Sequence, residues 1–182
     1  MTATSPNPPT IYAPYDPVAV PGTKYTLIMV DDKINYQGLQ TTPLQWLQSD
    51  LIPDPTTGLL MVDPVSSAVT GKYIPPEPVV GKPHSFISIL YRQPSGFSLP
   101  PCVSYVLGVS VKSRLGFNLL DFVRATGLGD PVADNWFQAQ NPTPATTTYA
   151  ITTTLTNHYH VPCTPASSSS VPVAASSTPT PA

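Results

Sequence analysis

The chain has 182 residues, a net charge of -2, 41% hydrophobic residues and only 10% charged ones, a composition typical of one globular domain with a sizeable core. It carries no basic run, which excludes a nucleic-acid-binding surface of the usual kind, and no apolar run approaches the roughly 20 residues of a transmembrane segment. The 25 prolines exclude long helices, because each one fixes φ and removes a backbone donor.

The first predicted elements are an extended arm and a buried strand. Residues 1–22 are rich in Pro, Ala and Thr and predict an extended N-terminal arm. Residues 24–30 form a continuous apolar run, Lys-Tyr-Thr-Leu-Ile-Met-Val, which is typical of a strand buried on both faces. The run ends in Asp31 and Asp32, so two carboxylates lie where a strand meets a loop.

Several short strands are predicted next. Pro43 and Pro53 bound residues 44–52 and favour a strand over a helix there. A further strand is predicted near residues 59–62, followed by a rigid polyproline-like stretch at residues 75–78. Residues 85–91 are the clearest strand, and the β-branched residues of 102–112 predict another.

One helix is predicted, beginning at Asn118 and ending at Gly127. Asn is a good N-cap, Asp121 suits the positive end of the helix dipole, and Gly is the usual C-terminal residue. The expected buried face of the helix consists of Leu119, Leu120, Phe122 and Val123. A strand at residues 132–139 and a Thr-rich edge strand at 146–155 follow.

Many short strands and a single helix predict a mainly β domain. We expect this domain to span residues 23–163, after the arm at 1–22. The Ser/Thr/Pro-rich tail at 164–182 has too few apolar residues for a core and is expected to be disordered. Trp46 and Trp136 are expected in the core of the domain.

The two cysteines, Cys102 and Cys163, each follow a proline in an extended stretch. Free cysteines prefer burial, so this placement favours a disulfide between them, which would imply an oxidising compartment. Together with the Ser/Thr/Pro tail, the disulfide favours a secreted or secretory-pathway location. The alternative is a pair of unrelated thiols.

Two segments carry a family resemblance. Residues 81–93, Gly-Lys-Pro-His-Ser-Phe-Ile-Ser-Ile-Leu-Tyr-Arg-Gln, place a lone histidine, His84, at the entrance to a strand. Residues 117–139 run from a capped helix through a turn into an aromatic strand. With the proline-rich stretch at 75–78, these segments resemble the fungal phosphatidylethanolamine-binding protein (PEBP)-like family over roughly residues 25–140. The resemblance implies a PEBP-like β-sandwich with one or two short helices.

The resemblance also implies a pocket for small anions. Asp31 takes the position of the first aspartate in the family's Asp-Pro-Asp-x-Pro loop, and His84 that of the histidine in Gly-x-x-His-Arg-Tyr. Gln45 stands where a histidine is usual, Ser85 where an arginine is usual, and Phe86 where a tyrosine is usual. His84 and Asp31 are the catalytic residues that the resemblance implies, and the implied ligand-binding residues are Gln45, Asp32, Pro78, Gly81 and Phe86.

Each of these residues also has a structural explanation. A lone histidine before a strand is often structural, the two aspartates could cap a turn, and Gln45 could be an ordinary strand residue. His158 and His160 would share one face of a strand, but two ligands are too few for a metal site. No metal and no cofactor are predicted.

Departures from the family pattern fit a repurposed site. The fungal PEBP-like proteins that this chain resembles act in maleidride pathways, where they assist dimerisation of maleic anhydride units. The resemblance therefore implies a small anionic or dicarboxylate ligand and a partner enzyme of a biosynthetic pathway, and a His/Asp pair can move a proton to or from a carbon acid. The alternative is a non-catalytic protein, secreted or surface-displayed, that binds a phospholipid headgroup or another small anion.

Overall fold

The computed structural model describes residues 6–16, 19–32, 34–36, 39–143 and 153–154. Within them, α1 spans Leu119–Thr126, and two 3₁₀ helices span Pro101–Leu107 and Lys112–Arg114. The strands are β1 (Tyr25–Asp32), β2 (Ile34–Tyr36), β3 (Leu39–Thr41), β4 (Leu44–Pro53), β5 (Leu60–Val62), β6 (Thr70–Gly71), β7 (His84–Arg92), β8 (Pro131–Ala139) and β9 (Thr153–Thr154).

One antiparallel sheet dominates the fold. Its strands lie in the order β5-β4-β1-β7-β8, and β6 also pairs with β4. A second, three-stranded sheet contains β2, β3 and β9. Residues 25–31 of the central strand β1 are all buried, which confirms the predicted strand with two buried faces. The fold is mainly β, as the sequence predicts.

The two faces of the main sheet are covered by different parts of the chain. Helical residues cover one face, in a core made of Ile28, Val30, Leu44, Leu47, Tyr91, Val103, Val106, Phe117, Phe122 and Leu128. On the other face, Ile11 and Ala13 of the arm pack against Tyr25, Leu27, Leu51, Leu60 and Leu90. The two cores take alternate residues of β1, because successive side chains of a strand point to opposite faces.

The helix α1 begins and ends as predicted. The side chain of Asn118 accepts a hydrogen bond from the backbone N–H of Asp121, and Gly127 closes the helix with a left-handed φ of 71°. Phe122 is fully buried, but Leu120 is exposed, so the prediction was wrong for this residue. Leu120 lies about 200° around the helix from Phe122 and therefore faces away from the core.

Residues 102–112 do not form the predicted strand. They lie largely in the 3₁₀ helix Pro101–Leu107 and the turn after it. Pro101 suits the first turn of a helix, where its fixed φ is compatible and no backbone donor is needed. Val103 and Val106 are three residues apart, which places both on one side of a 3₁₀ helix, and both are buried. These β-branched residues therefore reach the core from a helix.

The two tryptophans differ in their environments. Trp46 is half-buried, whereas Trp136 is 63% exposed, so the prediction of a core position was wrong for Trp136. Trp136 lies on β8, which is an edge strand of the main sheet. Among the described residues, one flank of β8 therefore has no neighbouring strand in the sheet.

The arm is attached to the sheet by hydrogen bonds and an ion pair. The backbone N–H of Leu60 donates to the carbonyl of Ile11 at 2.9 Å, and that of Ala13 donates to Gly58 at 2.8 Å. The guanidinium of Arg92 donates two hydrogen bonds to the carboxylate of Asp16, at 2.6 and 2.7 Å.

The predicted domain boundaries at residues 22 and 163 remain predictions.

Some predictions lie outside the described residues. They concern the tail at 164–182, Cys163, His158, His160 and most of 146–155, of which Thr153–Thr154 form β9. Cys102 is not a free thiol, and its pairing with Cys163 remains a prediction. In the part of the chain that is described, no helix is both long enough and apolar enough to span a membrane.

Candidate functional site

Three strands bring predicted site residues to one end of the main sheet. β1 ends at Asp32, while its two neighbours β4 and β7 begin at the same end, with Leu44 and His84. Val30 pairs with Leu44, and Asp32 pairs with Ser85. Because antiparallel neighbours start where the central strand stops, Gln45, Asp31 and His84 share this end of the sheet.

Asp31 and His84 form a buried hydrogen-bonded pair. Oδ2 of Asp31 lies 2.8 Å from Nδ1 of His84. Asp31 pairs directly with Phe86, and His84 lies two residues before Phe86, so all three side chains are on one face of the sheet. Asp31 is 3% exposed and His84 is 9% exposed. The pair is therefore held by the register of β1 against β7.

Burial changes the acidity of Asp31. Desolvation raises the pKa of its carboxyl above the ordinary value, because burial disfavours the charged form. The hydrogen bond and the charge interaction with His84 lower this pKa and offset the rise only in part, while the nearby charge of Asp32 adds to it. Asp31 is thus a carboxyl that takes up a proton more readily than an exposed aspartate.

Among the described residues, only one nitrogen of the His84 imidazole has a hydrogen-bond partner. When Asp31 is ionised, Nδ1–H donates to Oδ2, which leaves the lone pair on Nε2. No hydrogen bond to Nε2 occurs among the described residues. The ring stacks on Phe86, with the two centroids 6.4 Å apart, and Phe86 stacks on Phe137 at 5.3 Å. A histidine that an aspartate orients in this way is suited to act as a general acid or base.

Two buried oxygen atoms at this end of the sheet have no hydrogen-bond partner. They are Oδ1 of Asp31 and Oε1 of Gln45, and no other buried side-chain nitrogen or oxygen in the described residues shares this state. Leaving a buried polar atom unsatisfied costs about 1–3 kcal/mol, so such atoms need an explanation. Both are acceptors, whereas the Gln45 amide also carries N–H donors. A small ligand with both donors and acceptors, such as a half-protonated dicarboxylic acid, matches this set.

Arg114 also contributes to this region, although the sequence favours a surface salt bridge for it. It is fully buried, and its guanidinium donates to the carbonyls of Gly108 at 2.5 Å, Lys72 at 2.8 Å and Gln45 at 3.4 Å. The arginine therefore ties the start of β4 to two loops. Its sequence neighbours are serine, lysine, leucine and glycine, which give no signal that separates a buried arginine from a surface one.

The remaining predicted ligand-binding residues lie on the connection into β7. This connection starts beside Gln45, whose carbonyl accepts from the N–H of Ile74 at 2.9 Å, and it ends at His84. Pro78 is buried within it, and Gly81 has a φ of 125° that favours glycine. The structure therefore brings Asp31, His84 and Phe86 into contact. Asp32, Gln45 and this connection lie nearby, but their side chains make no hydrogen bond to Asp31 or His84 in the described part of the chain.

Two cavities formed by described residues lie elsewhere. One of about 360 Å³ is lined by residues that include Tyr15, Asp16 and Arg92, and a larger one of about 530 Å³ lies beneath the arm. Neither includes Asp31 or His84, so the prediction that Asp31, His84 and Gln45 line one cavity is still a prediction. In the described ranges, no group of three or more His, Cys, Asp or Glu side chains could hold a metal ion.

The chain is similar to two fungal proteins. It is 33% identical over 114 residues to phomoidride biosynthesis cluster protein N of Talaromyces stipitatus, an alignment that covers 63% of this chain and 58% of that protein. A protein of the same name from a second fungus is 33% identical over 113 residues, covering 62% of this chain and 51% of the other. The chain thus spans between half and three fifths of these relatives.

Two further comparisons complete these findings. No protein-family model matches the chain. Among solved structures, carboxypeptidase Y inhibitor in complex with its cognate proteinase is similar, with a TM-score of 0.46 and 21% sequence identity over 71% of this chain and 63% of that one.

Proposed function

We propose that this chain is a PEBP-like protein of fungal secondary metabolism that assists the dimerisation of maleic anhydride units in a maleidride-type pathway. Two relatives are named for the biosynthesis of phomoidride, which supports a role in the same kind of pathway. The ligand of this role is a small carboxylate or dicarboxylate. A protein with such a role also works beside a partner enzyme that supplies the units.

The observation that carries the proposal is the composition of the buried sheet end. His84 and Asp31 supply a hydrogen-bonded pair whose Nε2 has no hydrogen bond to any described residue, and Asp31 and Gln45 each supply a buried oxygen without a partner. A structural pair of this kind would normally satisfy all of its buried atoms. Unsatisfied acceptors beside a base instead favour a site for a ligand that brings its own donor, as the half-protonated diacid form of a maleic anhydride unit does.

The chemistry assigns different roles to the members of the site. His84 acts as the base, with Nε2 taking a proton from an activated C–H next to a carbonyl. The resulting carbanion adds to the C=C bond of the second unit, and the imidazolium returns the proton to the enolate that this addition leaves. Asp31 positions the ring and stabilises the imidazolium that forms, and Gln45 holds a ligand oxygen through its amide. The buried Phe86 keeps water from one side of the imidazole ring.

Turnover of alkyl maleic anhydride units by the full chain and its pathway partner tests this role. His84→Gln removes the base while keeping a polar side chain, and we expect dimer formation to fall about 100-fold or more. Asp31→Asn should cause a smaller fall, because the ring remains but loses its orienting charge. Asp134→Asn, an exposed carboxylate on β8, is the matched control. Unchanged turnover in His84→Gln would overturn the catalytic role.

The alternative role is binding of a phospholipid headgroup or another small anion without catalysis. Calorimetric titration with phosphoethanolamine and with an alkyl maleate separates the two ligand classes. Replacing His84 by Ala should weaken binding of the true ligand about ten- to a hundredfold, because a charge-assisted hydrogen bond is lost. Tighter binding of phosphoethanolamine than of the maleate would favour this non-catalytic role. Such a role fits a secreted or surface-displayed protein.

A further inference from the structure

An apolar groove lies between the arm and the main sheet, away from Asp31 and His84. Residues 8–11 of the arm form one wall, and strands β4 and β5 contribute to the other. The groove has a volume of about 530 Å³, within the roughly 300–1,000 Å³ of ligand sites. Its hydrophobic lining includes Ile11, Trp46, Leu51, Leu59, Leu60 and Val62.

The groove occupies the same face of the sheet as the His84 site. Trp46 pairs with Met29 across β4 and β1, and Met29 lies two residues before Asp31. Side chains two residues apart on a strand share a face. The groove nevertheless runs from Trp46 toward Leu51 and Val62, away from the strand end that holds Asp31.

One cationic side chain lies in the lining of this mainly apolar groove. Lys72 is exposed and has no ion pair among the described residues. Two other polar side chains of the lining, Thr70 and Gln48, hydrogen-bond each other. The hydroxyl of Thr70 donates to the side-chain carbonyl of Gln48 at 3.2 Å. The groove therefore offers one positive charge beside a continuous hydrocarbon surface, which complements a ligand with one anionic group and an alkyl chain.

We propose that this groove binds an amphiphilic carboxylate, with the alkyl chain along Trp46, Leu60 and Val62 and the carboxylate paired with Lys72. A volume of about 530 Å³ accommodates an alkyl chain of roughly ten carbons and is too small for a folded partner. The T-shaped contact between Trp46 and Tyr73, with centroids 5.7 Å apart, gives the chain a fixed aromatic wall. This inference stands on the groove alone and does not depend on the function proposed for His84.

Trp46 provides a direct reporter for the groove. In the full chain carrying Trp136→Phe, Trp46 is the remaining tryptophan, since the chain has two. Titration with decanoate below its micelle concentration should change Trp46 fluorescence and saturate. Octanoate should bind about tenfold more weakly than decanoate, because two fewer methylene groups are buried. No saturable change with decanoate, or equal affinity for both acids, would overturn the proposal.

Two pairs of variants test the charge and the apolar wall. Lys72→Met should weaken decanoate about two- to fivefold and leave decanol unchanged, as expected for an exposed ion pair. Lys112→Met, on the far side of the sheet, should change neither. Val62→Asp should abolish binding of both ligands, whereas Val65→Asp should not, because Val62 lines the groove at 44% exposure and Val65 is 91% exposed outside it.

Other occupants give distinct outcomes. If decanoate does not bind and sedimentation shows a dimer that Val62→Asp dissociates, the groove is an interface between two copies and the proposal is wrong. If Lys72→Met weakens decanol as much as decanoate, the carboxylate is not paired with Lys72 and the proposed ligand class is wrong.

Discussion

Phe86 lies directly opposite Asp31 in the pairing of β7 with β1, and the ring of Phe86 stacks on the imidazole that hydrogen-bonds the same aspartate. The Asp31 carboxyl therefore has a fully buried aromatic residue as its cross-strand neighbour. This position explains why desolvation is the main cause of the raised pKa of Asp31. The same register thus determines both the geometry of the pair and its acidity.

The raised pKa of Asp31 predicts a pH dependence of stability. The folded protein holds the Asp31 proton more tightly than the unfolded chain, so this contribution is complete below the ordinary pKa of 3.8 and is lost as the pH rises through the folded pKa. Asp31→Asn removes the titration. We therefore expect the free energy of unfolding of Asp31→Asn to rise relative to wild type between pH 3 and pH 7.

Urea unfolding at several pH values measures this difference. Asp134→Asn serves as the control, because it removes an exposed carboxylate from β8. A wild-type protein that gains stability over Asp31→Asn as the pH rises would contradict the prediction.

Phe86 should contribute far more to stability than its stacking partner Phe137. Phe86 is fully buried, so Phe86→Ala is expected to cost about 3–5 kcal/mol through lost transfer energy and a cavity. Phe137 is partly exposed on the edge strand β8, and Phe137→Ala should cost about 1–2 kcal/mol. Urea midpoints of the two variants provide the comparison, and equal losses would show that the two rings share one environment.

Arg114 should act as a buried clamp. Its replacement by Met leaves the carbonyls of Gly108 and Lys72 without their donor, and we expect a loss of about 3 kcal/mol or more. Arg124→Met is the control, since Arg124 is largely exposed on α1 and its pair with Asp121 is 3.6 Å long. That change should cost less than about 1 kcal/mol. Similar unfolding free energies for both variants would argue against the clamp.

Gly127 should be sensitive to alanine because of its backbone conformation. Its φ of 71° is left-handed, and no atom lies within 4 Å of an added Cβ, so Gly127→Ala tests conformational strain alone. We expect a cost of about 1–2 kcal/mol. Gly129 also has open space but lacks a left-handed φ, and Gly129→Ala should be nearly neutral. Thermal unfolding compares the two, and a neutral Gly127→Ala would mean that the helix ends differently.

The two cysteines give a chemical prediction. We expect Cys102 and Cys163 to be linked in protein isolated without reductant from its natural source. Non-reducing peptide mapping by mass spectrometry would then show one cross-linked peptide pair that separates on reduction. Two alkylatable thiols in the native protein would contradict both the disulfide and the secreted location that it favours.

Most local elements of this protein can be predicted from short stretches of its sequence. The continuous apolar run before Asp31 predicts a strand buried on both faces, and Asn118 and Gly127 mark the ends of the helix, because these signals depend on neighbouring residues. The same kind of signal gives a wrong prediction at residues 102–112, where the β-branched residues predict a strand. There, proline geometry and burial at Val103 and Val106 favour a 3₁₀ helix instead.

For the candidate site, the resemblance identifies Asp31, His84 and Gln45 as a set, but their contacts depend on how distant strands pair. Asp31 and His84 are 53 residues apart, and their hydrogen bond exists because β1 and β7 pair in one register. The burial of Arg114 and the groove beside Lys72 likewise depend on segments distant in the chain. Local sequence records the preferences of short segments, whereas burial and side-chain contacts are set when the sheet, the helices and the arm pack together.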